Sequence, residues 1–134
     1  LMHQFLIIPD VDDRLITKSS HRIHDARVWD RSTAEVSWQM YLGDSFGGDV
    51  SPYAAPARAT DLSALPPATV LVEDLDILRD EGVDYANRLN DAGVRTELHV
   101  YPGTCHGHFG MAPEAAVSKR TVADMLSAVQ RVFG

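Results

Sequence analysis

Three short segments of this sequence gather the side chains that move protons. They are Pro9-Asp10-Val11-Asp12-Asp13-Arg14, Glu73-Asp74-Leu75-Asp76-Ile77-Leu78-Arg79-Asp80-Glu81, and Tyr101-Pro102-Gly103-Thr104-Cys105-His106-Gly107-His108. Each follows an apolar run that reads as a strand. An acid after one strand and a histidine after the next can work as a unit. The imidazole takes the proton of a hydroxyl nucleophile, and the carboxylate fixes the tautomer and stabilises the imidazolium that results. The chain order, acid then histidine, is the second half of a Ser…Asp…His triad on an α/β sheet.

The elements that must position these segments can be read from periodicity. Phe5-Leu6-Ile7-Ile8 is a continuous apolar run ending at Pro9, which fits a strand covered on both faces. The pattern predicts a helix over 30–42, with Ala34, Trp38 and Tyr41 on one side, stopped by Gly43. Residues 43–67 are rich in Gly, Pro, Ala and Ser and read as a long loop or short-helix crossover. A second strand is expected over 68–72, a helix over 79–92 with Val83, Ala86 and Leu89 inward, and a third strand over 95–101. The last helix is placed over 113–133, with Val122, Met125, Leu126, Val129, Val132 and Phe133 on one buried face and Pro113 in its first turn. Strands alternating with helices imply an α/β fold with a parallel sheet, and sites on such sheets lie beyond the C-terminal strand ends. All three proton-moving segments lie there. Three strands leave one side of the sheet open, so a partner or further strands are expected to cover it.

Several of these segments resemble one family. Leu75-Asp76-Ile77-Leu78-Arg79-Asp80-Glu81 is similar to the "LDPLRDE" segment of hormone-sensitive-lipase-type esterases, the α/β-hydrolase-3 family, and Tyr101-Pro102-Gly103 with His106-Gly107 is similar to its "YPG..HGF" segment. Asp12-Asp13-Arg14, the stretch from Trp29 through Trp38 to Tyr41-Leu42-Gly43, and Val50-Ser51-Pro52-Tyr53-Ala54-Ala55-Pro56 extend the likeness over essentially the whole chain. The resemblance implies the C-terminal part of an α/β-hydrolase fold, about three parallel strands with flanking helices, in a single domain over 1–134. It implies that Asp76 is the triad acid and His106 the histidine, acting on a small ester without a cofactor. Four departures stand near these residues. Ile77 replaces a proline, Glu73 stands where glycine is common, Thr104-Cys105 replaces a more apolar pair, and His108 interrupts "HGF". The family's His-Gly-Gly-Gly oxyanion loop and its strand–elbow–helix have no counterpart in the sequence.

One serine imitates the elbow. Gly43-Asp44-Ser45-Phe46-Gly47 fits G-x-S-x-G, but a helical segment precedes it and a proline-rich loop follows, so Ser45 is read as a loop residue. Asp10-Val11-Asp12 also resembles the D-x-D of haloacid-dehalogenase phosphatases, a less favoured reading that would call for Mg²⁺. His99 is read as structural, and Asp80, Glu81 and Asp84 as a solvated helix start. No spacing supports a metal site. A Cys105–His106 dyad is not expected, because neighbours on a chain point apart.

Composition narrows the partners. With 12 Lys and Arg against 19 Asp and Glu the net charge is −7, which repels nucleic acid. No run reaches the ~20 apolar residues of a membrane span. Leu1-Met2-His3-Gln4 is not a signal peptide, and the single Cys105 excludes an internal disulfide, so the cytoplasm is the expected compartment. Two function classes follow. One is a carboxylic ester hydrolase to which this chain brings the acid and histidine. The other is a non-catalytic fragment or remnant that acts through an oligomer interface at its open sheet edge.

Overall fold

Three parallel strands, in the order β1-β2-β3, carry the fold in the computed structural model, which describes residues 1–134. The strands are β1 (Gln4–Ile7), β2 (Ala68–Glu73) and β3 (Thr96–Tyr101). The helices are α1 (Lys18–Arg22), α2 (Arg31–Leu42), α3 (Arg79–Asp91), α4 (His108–Met111) and α5 (Ala116–Phe133). Single 3₁₀ turns at Gly43–Ser45 and Pro56–Arg58 punctuate the crossover between α2 and β2. Val70 aligns with Leu6 on one side and Leu98 on the other. As the central strand, β2 has all six residues buried, which is why Val70, Leu71 and Val72 run apolar without alternation.

Local signals set the helix ends. Asp30 caps α2, its carboxylate accepting from Thr33 N at 2.8 Å. Gly43 follows at φ +53°, a conformation that a side chain disfavours, and the helix stops there. β1 ends at Ile7, and the next residue, Ile8, has a φ of +45°, uncommon for a β-branched residue, where the chain turns into the acidic segment.

Two apolar clusters hold the layers together. Val70 and Val72 of β2 pack with Tyr85, Ala86 and Leu89 of α3. Ala34 and Trp38 of α2 pack with Leu15, Val50, Ala55, Ile77 and Leu78, so α2 rests on the loop that carries Asp76. Tyr41, expected on the inner side of α2, is exposed because the inward stripe runs through Ala34, Trp38 and Leu42.

The last helix departs further from expectation. It begins at Ala116, after Pro113, which lies in the preceding turn. Its buried positions are Ser118, Thr121 and Ala128, whereas Val122, Leu126, Val129 and Phe133 are exposed. The helix sits across β1 and β2, with Met125, Ala128 and Val129 lining a small cavity with Phe5, Ile7 and Leu71. Phe133 reaches the Phe5 ring at 6.4 Å, while Val122 and Leu126 stand exposed to solvent. No helix is long and apolar enough to cross a membrane.

The approach of α3 to β2 depends on one glycine. A Cβ at Gly82 would lie 2.6 Å from Val72 Cγ1, with the Pro9 ring 3.5 Å away. Gly82→Ala gains roughly 1 kcal/mol of helix propensity. Overpacking at this contact is expected to outweigh that gain, for a net loss of about 1–2 kcal/mol in urea unfolding. Wild-type stability in Gly82→Ala would show that the two layers separate freely.

Candidate active site

The turn after β2 and the turn after β3 are stitched together before any side-chain chemistry begins. Asp74 N donates to Tyr101 O at 3.2 Å, and Leu75 N donates to Thr104 O at 3.0 Å. The Asp74 carboxylate accepts from Gly103 N at 2.8 Å, and Thr104 Oγ1 donates to Tyr101 O at 2.6 Å. Gly103 and Gly107, at φ +73° and +71°, allow the two tight reversals that bring His106 back over the strand ends.

Asp76 and His106 meet there. His106 Nδ1 lies 2.7 Å from Asp76 Oδ2, and Asp76 Oδ1 accepts from Leu78 N at 3.0 Å. The Asp76 side chain is 1% exposed and that of His106 23%. A buried carboxylate at Nδ1 holds the proton on that nitrogen, which leaves Nε2 with its lone pair. Nε2 has no hydrogen-bond partner within the chain. The ring of Trp29 stacks on the other face of the imidazole at 5.5 Å and 24°. An imidazolium would thus gain a carboxylate at its edge and an indole on its face. The arrangement is that of an oriented general base with its acceptor nitrogen open.

Other acids sit beneath and beside this pair. Asp10 accepts from Trp38 Nε1 at 2.8 Å, and burial pushes its carboxyl up to about 6. His108 Nδ1 lies 2.6 Å from Glu73 Oε1, both side chains buried, and burial raises the Glu73 carboxyl above its ordinary range. Glu81 is buried rather than solvated, contrary to the reading of 80–84 as a solvated helix start. Its Oε1 accepts from Val11 N at 2.7 Å and Asp12 N at 3.1 Å, closing the loop after β1 onto α3. Asp80 also has a task, accepting from Ser19 N at 2.8 Å, and Asp84 alone of the three stays exposed.

The remaining candidates separate from the pair. Ser45 lies exposed on a 3₁₀ turn directly after α2, with no strand before it, and makes no hydrogen bond to His106. The acids of the D-x-D segment are engaged. Arg14 grips Asp12 at 2.7 and 2.8 Å, Trp38 holds Asp10, and the adjacent Asp13 is gripped by Arg58 at 2.6 and 2.8 Å. Nothing in this arrangement resembles a phosphatase site. His99 bonds Glu97 at 2.7 Å and stacks on Tyr101, away from the two turns. Sequence reasoning missed the Trp29–His106 stack and the Glu73–His108 bond. The first had no signal, since no spacing rule joins residues 77 positions apart. The second had one, because both residues were departures from the family segments.

Comparison with known proteins places this geometry in context. A family model described as alpha/beta hydrolase fold matches residues 1–110. Carboxylesterase NlhH of Mycobacterium tuberculosis is 32% identical over 139 residues, which is 99% of this chain and 42% of NlhH. Among solved structures, a bacterial heroin esterase superposes with a TM-score of 0.91 at 51% identity, over 96% of this chain and 42% of that one. Esterase LipW from Mycobacterium marinum gives 0.91 at 36% identity, over 99% of this chain and 41% of LipW. The chain spans between 34% and 42% of the length of the first curated relatives it matches.

Burial, outweighing its two backbone hydrogen bonds, pushes the Glu81 carboxyl up to about 9. The folded state therefore holds a proton that the unfolded chain releases from about pH 4.5 upward. Stability from this group is full below that pH and falls as pH rises toward 9, by at most about 1.4 kcal/mol per unit. Glu81→Gln keeps the acceptor for Val11 and Asp12 without the proton. Its stability relative to wild type is expected to rise between roughly pH 5 and 8 in urea melts. A difference that does not change with pH would rule out a buried neutral Glu81.

Proposed function

The chain belongs to the α/β-hydrolase-3 family, and from that membership we propose that it forms the acid-and-base part of a carboxylic ester hydrolase. The observation that carries the reading is the Asp76–His106 bond at the C-terminal ends of parallel strands, with His106 Nε2 open outward. In this reading residues 1–134 are the C-terminal portion of one hydrolase domain. A serine supplied from outside this stretch attacks the ester carbonyl. His106 accepts its proton at Nε2 and later delivers it to the leaving alcohol oxygen. Asp76 keeps the Nδ1 proton in place and offsets the charge of the imidazolium. Backbone N–H groups, also from outside this stretch, would hold the oxyanion. The substrate class is a small carboxylic ester. The names of its relatives support this: carboxylesterase for NlhH and esterase for the two superposed structures.

Hydrolysis of p-nitrophenyl butyrate tests the assignment. The 134-residue chain alone is expected to give no turnover above buffer. A fusion that adds the part of the 51%-identical heroin esterase lying outside the matched region is expected to turn over. In that fusion Asp76→Asn should lose about 10⁴-fold in kcat through the wrong tautomer, and His106→Ala at least as much. Ser45→Ala should change nothing. Turnover by the isolated chain that disappears in Ser45→Ala would overturn the reading.

A second reading, a chain that acts through an interface without catalysis, is favoured by one observation. The outer edge of β1 is unpaired, and Ile7, Val122, Leu126, Val129 and Phe133 stand exposed beside it. Such a surface promotes association between copies. Gel filtration is expected to show concentration-dependent self-association of the isolated chain, lost in the fusion where added strands cover that edge. A monomer at every concentration would count against this reading.

A further inference from the structure

Two acid–imidazole bonds join the same two turns, and they differ in one respect. The acids, Glu73 and Asp76, lie three residues apart at the end of β2, linked by Asp76 N donating to Glu73 O at 3.2 Å. The histidines, His106 and His108, lie two apart after β3 with the left-handed Gly107 between them. The bonds measure 2.7 Å for Asp76–His106 and 2.6 Å for Glu73–His108. His106 keeps Nε2 open. In His108 both nitrogens are occupied, since Nε2 lies 3.2 Å from Thr121 Oγ1 of α5. Thr121 gives its hydroxyl proton to Val117 O at 3.0 Å, so toward His108 it accepts and Nε2 carries a proton. The remaining proton of the pair lies between Nδ1 and Glu73. No lone pair is left for chemistry, which excludes His108 as a second base.

We propose that Glu73 and His108 are a positioning pair for His106, fixing the segment that follows His106 to the end of β2, as the bonds of Asp74 and Leu75 fix the segment that precedes it. With the turn held only at Gly103 and Thr104, on the near side of His106, the far side can pivot about the Asp76–His106 bond. The second bond, two residues away and nine-tenths buried on both sides, removes the rotation. Backbone contacts carry the constraint to His106. His108 N donates to Cys105 O at 3.0 Å, closing the turn that contains His106, and Ala112 N donates to His108 O at 2.8 Å. Through Thr121 the pair also ties this turn to α5. Glu73 Oε1 and the imidazole pair with each other, while Glu73 Oε2 is left without a hydrogen bond. That pairing accords with the departures at positions 73 and 108 standing together. Either one alone would leave a polar group buried without its partner. The inference rests on reading Asp76–His106 as the acid–base pair.

The test reads His106 directly, so it succeeds or fails whether or not the chain takes part in ester hydrolysis. In the ¹⁵N-histidine-labelled 134-residue chain, the low-field Nδ1 proton of His106 is assigned by its loss in His106→Gln. Its exchange with solvent is expected to quicken about tenfold or more in Glu73→Ala, as local opening becomes easier. Glu73→Gln, whose amide can either accept from or donate to Nδ1, should restore wild-type exchange. A role confined to general stability would lower Tm in Glu73→Ala and leave the proton of the folded chain unchanged, and that result overturns the proposal. Loss of the signal in Glu73→Gln overturns it equally. If Glu73→Ala does not fold, His108→Leu against His108→Asn repeats the comparison, the Asn amide standing in for Nδ1–H. Equal exchange in those two also overturns it.

Discussion

Parallel pairing of β2 with β3 is the constraint on which this site depends. Strands that run side by side in one direction end side by side, about 4.8 Å apart. Val72 aligns with Val100 and Glu73 with Tyr101, so both strands reach their last residue at the same level. The turns that follow bond to each other through Asp74, Leu75, Gly103 and Thr104. Asp76 and His106 need only short excursions from there to meet. A slip of one residue in the register would turn every side chain of β3 to the opposite face and separate the pair.

The end of the sheet where they meet is crowded with acids. Asp10, Glu73, Asp76 and Glu81 are all held in the layer beneath the His106 ring or beside it, and burial raises the carboxyls of three of them. A carboxylate is costly to bury unless it is paired or keeps a proton. Each finds a different solution: an indole N–H for Asp10, an imidazole for Glu73, two backbone N–H groups for Glu81. Asp76 combines an imidazole with a backbone N–H and lies under the partly buried His106. The acids outside this layer take arginines instead, Asp12 with Arg14 and Asp13 with Arg58. With these acids bound to N–H groups or to guanidinium groups, His106 is the imidazole left with an open nitrogen.

The opposite side of the molecule has the complementary character. The stripe of α5 and the outer face of β1 expose Ile7, Val122, Leu126, Val129 and Phe133, while the inner face of the helix is lined by small residues such as Ala128. A helix that leaves large apolar side chains outward presents a surface suited to a further apolar neighbour. The relatives matched by this chain are more than twice its length.

Much of the fold was legible in the sequence because the signals are local. Continuous apolar runs marked β1 and β2, and Asp30 and Gly43 marked the ends of α2, since a cap or a positive φ is decided within a few residues. Alternation of strands and helices implied the parallel sheet. The segments around Asp76 and His106 pointed to an esterase family because motif chemistry is written in consecutive residues. Periodicity could not say which face of α5 would find a partner, because an apolar stripe records what a helix was shaped to meet and not whether that neighbour is in the chain. Nor could it see that Glu81 is buried, that Trp29 lies on His106, or that Glu73 answers His108. Those pairings join residues 30 to 80 positions apart, and the distance between them exists only once β2 and β3 lie side by side.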